Sequence, residues 1–244
     1  MKKLLISTTI AGLCAVPLVG QASTYKEVAV SNGGTITGTV AYSGKERKPK
    51  IYSVTKDNDI CGTEARRIEY VRVNNGKLMD SVVYLEKVKE GKAFPADIGN
   101  GTVIQEGCEF IPFLGVMKNK QKISAINKDP ILHNIHTYEI LGRVKKTVFN
   151  ISQPDQNTVT KTVKLKKGAA MKVECDAHDF MHSFVFVAKN PYFSVVAEDG
   201  SYKIDNIPAG NYKIKAWHGT LKDQKGKIDV AAGGTVTMDF NFKK

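Results

Sequence analysis

From Gly33 onward, apolar and polar residues alternate in short runs rich in β-branched side chains. Thr35–Tyr42 reads T-I-T-G-T-V-A-Y, and the same period of two runs through Gln121–Ile126, Asn134–Ile140, Thr158–Leu165 and Ala170–Cys175. A period of two sends alternate side chains to opposite faces, which is the mark of a half-buried strand. Ser81–Leu85 and Ser183–Ala188 are unbroken apolar runs of strand length. Asn74-Asn75-Gly76, Glu198-Asp199-Gly200 and Pro208-Ala209-Gly210 read as turns, with Gly200 and Gly210 expected at positive φ. A final alternating strand is predicted over Thr235–Phe242, and no segment shows a helical period. The pattern predicts an all-β chain of packed sandwiches.

The first residues follow a different rule. Met1-Lys2-Lys3 is a short positive start, Leu4 to Gly20 is apolar and uncharged, and Gly20-Gln21-Ala22 resembles a small-x-small cleavage site. This predicts a secretory signal peptide over residues 1–22, with Cys14 discarded with it. No later stretch is long and apolar enough to span a bilayer, so the mature chain is expected in the periplasm or secreted. An uncleaved N-terminal anchor is the alternative.

Export makes the cysteine count informative. Cys61, Cys108 and Cys175 remain in the mature chain, and an oxidising compartment favours one pair. The simplest assignment joins Cys61 to Cys108 and leaves Cys175 as a ligand. The alternative places Cys175 in the disulfide and frees another thiol.

Cys175 opens the sequence C-D-A-H-D-F-M, in which Cys175, His178 and Met181 recur every three residues. A single loop between two strands can aim all three at one point, and His133 from a different strand would close the site. One thiolate, two imidazoles and a weak thioether form the ligand set of a mononuclear blue-copper site. His136 lies an odd number of positions from His133 and is expected on the opposite strand face. His182 is expected at a solvated loop end, and Trp217-His218 as packing residues.

Formal charge is +12 in the 244-residue chain, with basic stretches at Lys45–Lys50, Lys118–Lys122 and Lys161–Lys167. Such charge steers a protein toward an anionic membrane surface, an acidic polysaccharide or the acidic face of a redox partner, or else serves solubility on solvated strand faces. Export argues against a nucleic-acid partner.

Two resemblances follow from these motifs. Residues from about Thr102 to Ala188 resemble the cupredoxins, through Cys108-Glu109-Phe110-Ile111-Pro112, through Asn127-Lys128-Asp129-Pro130-Ile131-Leu132-His133-Asn134, and through the Cys175 loop. Residues from about Pro191 to Lys244 resemble carboxypeptidase-regulatory-like domains, through E-D-G-S-Y-K-I and N-I-P-A-G-N-Y. With Val82-Val83-Tyr84-Leu85 and Cys61-Gly62, the whole is similar to exported bacterial plastocyanin-like proteins, some labelled methylamine utilisation proteins. The resemblance implies a cupredoxin Greek-key sandwich over 96–189 and a prealbumin-like sandwich over 190–244. Residues 33–95 form an N-terminal β region. That region and the last segment would either follow in a row or combine into one domain with the cupredoxin inserted.

The resemblance also implies roles. His133, Cys175, His178 and Met181 match the four copper ligands, and Asn134 matches the residue that ties the two ligand loops together. The loop departs from the plastocyanin type by being shorter between His178 and Met181. Its H-x-x-M ending is similar to the binuclear copper loop of respiratory oxidases, but Met171 stands where that site needs a second cysteine. Met181 is therefore either the axial ligand or a packing residue. The implied function is a periplasmic type 1 copper protein, not an enzyme. It would carry single electrons to or from a partner such as a periplasmic cytochrome or oxidase. Copper storage or delivery is one alternative, and a cell-surface binding module with a vestigial site is another.

Overall fold

A computed structural model describes residues 25–243; the expected signal peptide lies outside the described residues. The chain is all-β, as the alternation predicts, and the helical segment Asn58–Cys61 is four residues long.

The middle of the chain forms two sheets packed face to face. One orders Glu109–Ile111, Gly101–Glu106, Lys122–Asn127 and Asn157–Thr162. The other orders Leu114–Lys118, His182–Ala188, Ala170–Glu174, His133–Leu141 and Val144–Gln153. Period two does the work expected of it: Lys122–Asn127 buries Ile123, Ala125 and Asn127 and exposes or half-exposes the residues between. Ile123 and Ala125 meet Val103, Met117, Ile135, Met171, Val173, Val185 and Val187 in one core. His182–Ala188 is buried along its whole length. Its second face, with Phe184, Phe186 and Ala188, packs on Val82 and Trp217 of the other sandwich, which explains a continuous apolar run in place of alternation.

The second sandwich draws on both ends of the described chain. Ser81–Glu86 lies between Phe193–Val195 and Gly210–His218, with Gln224–Val230 at the edge. Gly34–Tyr42 pairs with Ser201–Ile207 and Lys77–Leu78, and in parallel with Thr235–Thr237 and Phe240–Phe242. Ile36, Val40, Leu78, Val83, Leu85, Ile204, Ile214 and Phe242 fill its core. The single strand expected over Thr235–Phe242 is split into two. Between the halves, the Asp239 carboxylate accepts hydrogen bonds from the Thr39 N–H and hydroxyl at 2.7 and 2.9 Å, so a side chain replaces the ladder there. Gly200 has the expected positive φ, 79°. At the contact between sandwiches, Phe184 meets Trp217 edge-on at 5.9 Å between centroids. A Cβ on Gly219 would fall 2.5 Å from the Phe184 ring, so this approach requires glycine.

Between Gly34–Tyr42 and Ser81–Glu86 the chain makes an excursion onto the middle sandwich. It carries the paired strands Lys50–Tyr52 and Arg66–Ile68 and the turn Asn58–Cys61. The Cys61–Cys108 disulfide pins it there, with Cα atoms 5.2 Å apart. The Arg66 guanidinium adds bonds to the Glu109 carboxylate and to the Cys61 and Gly107 carbonyls at 2.7–2.8 Å.

Candidate metal centre

His133 is the first residue of its strand, and Cys175 follows the last residue of Ala170–Glu174. These strands are antiparallel neighbours with His136 opposite Glu174, so the ladder itself brings the start of one beside the end of the other. The loop then turns back on itself. The Met181 N–H donates to the His178 carbonyl at 3.0 Å, and the Cys175 N–H to the Met181 carbonyl at 3.4 Å. This folding aims His178 at Cys175.

Three potential donor atoms converge. The His133 and His178 Nδ1 atoms are 3.1 Å apart, and the Cys175 Sγ is 3.9 and 3.8 Å from them. The point equidistant from these atoms lies about 2.1 Å from each, close to the metal–nitrogen and slightly under the metal–sulfur bond lengths of protein sites. His133, Cys175, His178 and Met181 are buried, with exposures of 0, 3, 2 and 2 %. Met181 shares the core cluster with Cys175 and Phe180.

Each imidazole is oriented from behind. His133 Nε2 is 2.8 Å from Asp129 Oδ2, and His178 Nε2 is 2.9 Å from Asp57 Oδ2. A carboxylate only accepts, so each Nε2 carries the proton and each Nδ1 presents a bare lone pair inward. Two facing lone pairs at 3.1 Å beside a sulfur repel one another. A shared proton would satisfy the two nitrogens alone; a soft cation satisfies both of them and the sulfur together. The residues present therefore fit a copper ion.

The electrostatics agree with a neutral His178 imidazole. Burial holds the His178 pKa below its usual value, against the opposing pull of Asp57. Burial pushes the Cys175 thiol up, and the N–H groups of Asn134, His178 and Ala177 partly offset this. Burial would also raise the Asp129 carboxyl, but hydrogen bonds from the Cys108 N–H, His133 and the Gly107 N–H outweigh it and hold it below the usual range.

Asn134 joins the His133 strand to the Cys175 loop. Its Oδ1 accepts from the Asp176 N–H at 2.5 Å, its Nδ2 donates to the Asp176 carboxylate at 2.9 Å, and its backbone N–H points at the Cys175 sulfur at 3.4 Å. The disulfide lies against the imidazoles: both of its sulfurs are within 4.8 Å of a His178 nitrogen, and Cys108 is equally near to Asp129 and His133. Among the described residues Cys175 is the free thiol.

His136 sits on the opposite strand face, hydrogen-bonded to Asp176 at 3.0 Å and stacked on Tyr138. The expectation of a solvated His182 is corrected. It is 7 % exposed, begins the strand His182–Ala188 opposite Glu174, and stacks on Tyr70 of the excursion at 4.4 Å between centroids. Sequence reasoning also missed the two carboxylates. Asp129 had a local signal, four residues before His133. Asp57 had none, because it stands 121 residues from the histidine it orients.

Residues 161–238 match the family described as Polysaccharide lyase family 4, domain II. No curated protein gives a sequence match. Among solved structures the chain is similar to a purple cupredoxin from Nitrosopumilus maritimus, at 16 % identity over 36 % of this chain and 99 % of that one, TM-score 0.30. It is similar to the amicyanin of Paracoccus versutus at 16 % identity, over 43 % of this chain and 97 % of that one, TM-score 0.29. A copper-containing nitrite reductase from Thermus scotoductus matches at 14 % identity, over 43 % of this chain and 25 % of that one, TM-score 0.29.

Proposed function

We propose that this chain is an exported type 1 copper protein that carries single electrons. The observation that supports it is the convergence of two outward-locked imidazoles and one free thiol on a point at bonding distance from all three. His133, Cys175 and His178 would hold the ion, and the Met181 thioether would hold it more weakly. Copper bound there would supply a one-electron Cu(I)/Cu(II) couple. Asp129 and Asp57 keep the ligand nitrogens in one tautomer, Asn134 keeps the two ligand segments in register, and the buried core excludes water. A site so held need not rearrange when its charge changes by one, which suits a carrier. Burial of all three ligands argues against a delivery protein, whose metal must leave easily.

In this reading the middle sandwich, 96–189, is an insertion within a domain built from 33–95 and 190–244. The disulfide and the apolar leader over 1–22 support a periplasmic or secreted location. The partner would be a redox protein such as a periplasmic cytochrome or oxidase, with no reaction catalysed by the chain itself.

Voltammetry of the copper-loaded protein tests the carrier reading. A reversible one-electron wave is expected, with slow loss of copper to a chelator. Met181→Gln should lower the potential, because a harder oxygen ligand favours Cu(II), and Met181→Leu should raise it. Rapid loss of copper without a reversible wave would favour delivery, and an unchanged potential in both variants would remove Met181 from the ligand set.

A further inference from the structure

A cleft of about 1280 Å³ opens beside the apolar contact between the two sandwiches. Its walls come from both. The middle sandwich supplies the hairpin tip 140–143, the segment 166–169 and the strand end 186–190; the other supplies 84–89 and 215–225. Nothing in the copper reading uses this space.

Its lining is strongly one-sided in charge. Nine lysines and arginines line it against two acids, Glu86 and Asp223. Both acids are already engaged by Lys215, at 2.7 and 3.9 Å. The other eight cations have no carboxylate within ion-pair distance among the described residues. Lys189 shows the cost. Loss of hydration and the nearby Lys215 hold its ammonium below the usual range, although Glu139 pulls the other way. Its Nζ donates to the Lys166 carbonyl at 3.3 Å, a neutral acceptor. Like charges gathered in a concave, partly desolvated space destabilise the free protein, and a multivalent anion removes that penalty.

We propose that this cleft binds a strand of acidic polysaccharide through carboxylate or sulfate groups spaced along it. The volume exceeds the roughly 300–1,000 Å³ of a single small-molecule site, so several units of a chain fit it. A concave space between two domains admits an extended chain and keeps a flat lipid surface away from the inner cations. The half-buried Tyr84 ring lies among the cations and offers the apolar contact that a pyranose face takes.

Calorimetric titration of the whole protein with polygalacturonate oligomers tests this, with poly-glutamate and phosphatidylglycerol vesicles as comparators. The variant Lys167→Ala, Lys189→Ala, Lys225→Ala removes three charges that line the cleft. The variant Lys48→Ala, Lys161→Ala, Lys203→Ala removes the same charge elsewhere. The oligomers are expected to bind, to weaken roughly tenfold in the cleft variant, and to change little in the control, since each exposed charge contact is worth little alone. The proposal is overturned if the oligomers do not bind, or if the two variants behave alike. It is equally overturned if poly-glutamate or vesicles bind more tightly than the sugar and respond to the cleft variant. Copper binding should be the same in all three proteins, so this outcome is independent of the metal reading.

Discussion

Two carboxylates decide which nitrogen each histidine offers to the centre. Asp129 reaches His133 from the same segment, whereas Asp57 reaches His178 from the excursion. The meeting of Cys175 and His178 was legible in the sequence because their spacing is local: three residues apart, on one turn. The partner of His178 was not, because only the folded chain brings residue 57 to residue 178. His182 was misjudged for the same reason, since the Tyr70 ring that covers it comes from far away in sequence. Removing Asp57 frees the His178 ring to rotate and change tautomer. Asp57→Ala should therefore weaken copper binding by about 10- to 100-fold, the usual cost of losing such a partner. Asp57→Asn keeps an acceptor oxygen and should lose less. Competition with a chelator of known affinity measures both, and equal affinity in wild type and Asp57→Ala would show that the contact does not orient the ligand.

At the scale of elements, the excursion is what separates this site from one built by a sandwich alone. It brings Asp57 and the Tyr70 ring and carries half of the disulfide, whose partners are 47 residues apart. A cross-link closing a loop of that length stabilises by about 4 kcal/mol in the chain-entropy account. Cys61→Ala with Cys108→Ala should lose stability of that order in denaturant unfolding of the metal-free protein, and should bind copper more weakly as Asp57 loosens. A loss under about 1 kcal/mol would mean that Arg66 and the packed aromatics hold the excursion unaided. Strand legibility followed burial. Lys122–Asn127 and His133–Leu141 alternate because one face is in a core. Val144–Gln153 escaped notice because it is an edge strand, exposed or half-exposed along nearly all its length, so core packing imposes little pattern on it.

For the whole molecule, the two sandwiches share an aromatic contact, and a buried histidine lies next to it. His218 is 3 % exposed, and its Nδ1 accepts from the backbone N–H groups of Thr220 and Leu221 at 3.2 and 3.3 Å. Burial pushes its pKa down to about 4. The unfolded chain therefore binds a proton that the folded chain refuses between about pH 6.5 and 4. Stability is full above the unfolded pKa and falls as pH drops through this window, by up to about 3 kcal/mol from this group. His218→Gln should flatten the fall, and a melting temperature independent of pH over that range in the wild type would contradict the account.

The central claim is that His133, Cys175 and His178 hold one copper ion. Titration of the metal-free protein with Cu(II), followed by visible absorption, tests it most directly. Sulfur-to-copper charge transfer from Cys175 predicts an intense visible band that saturates at one equivalent and is absent in Cys175→Ser, which should remain a folded β protein by circular dichroism. A colourless wild type, or a Cys175→Ser variant that keeps the band, would contradict it.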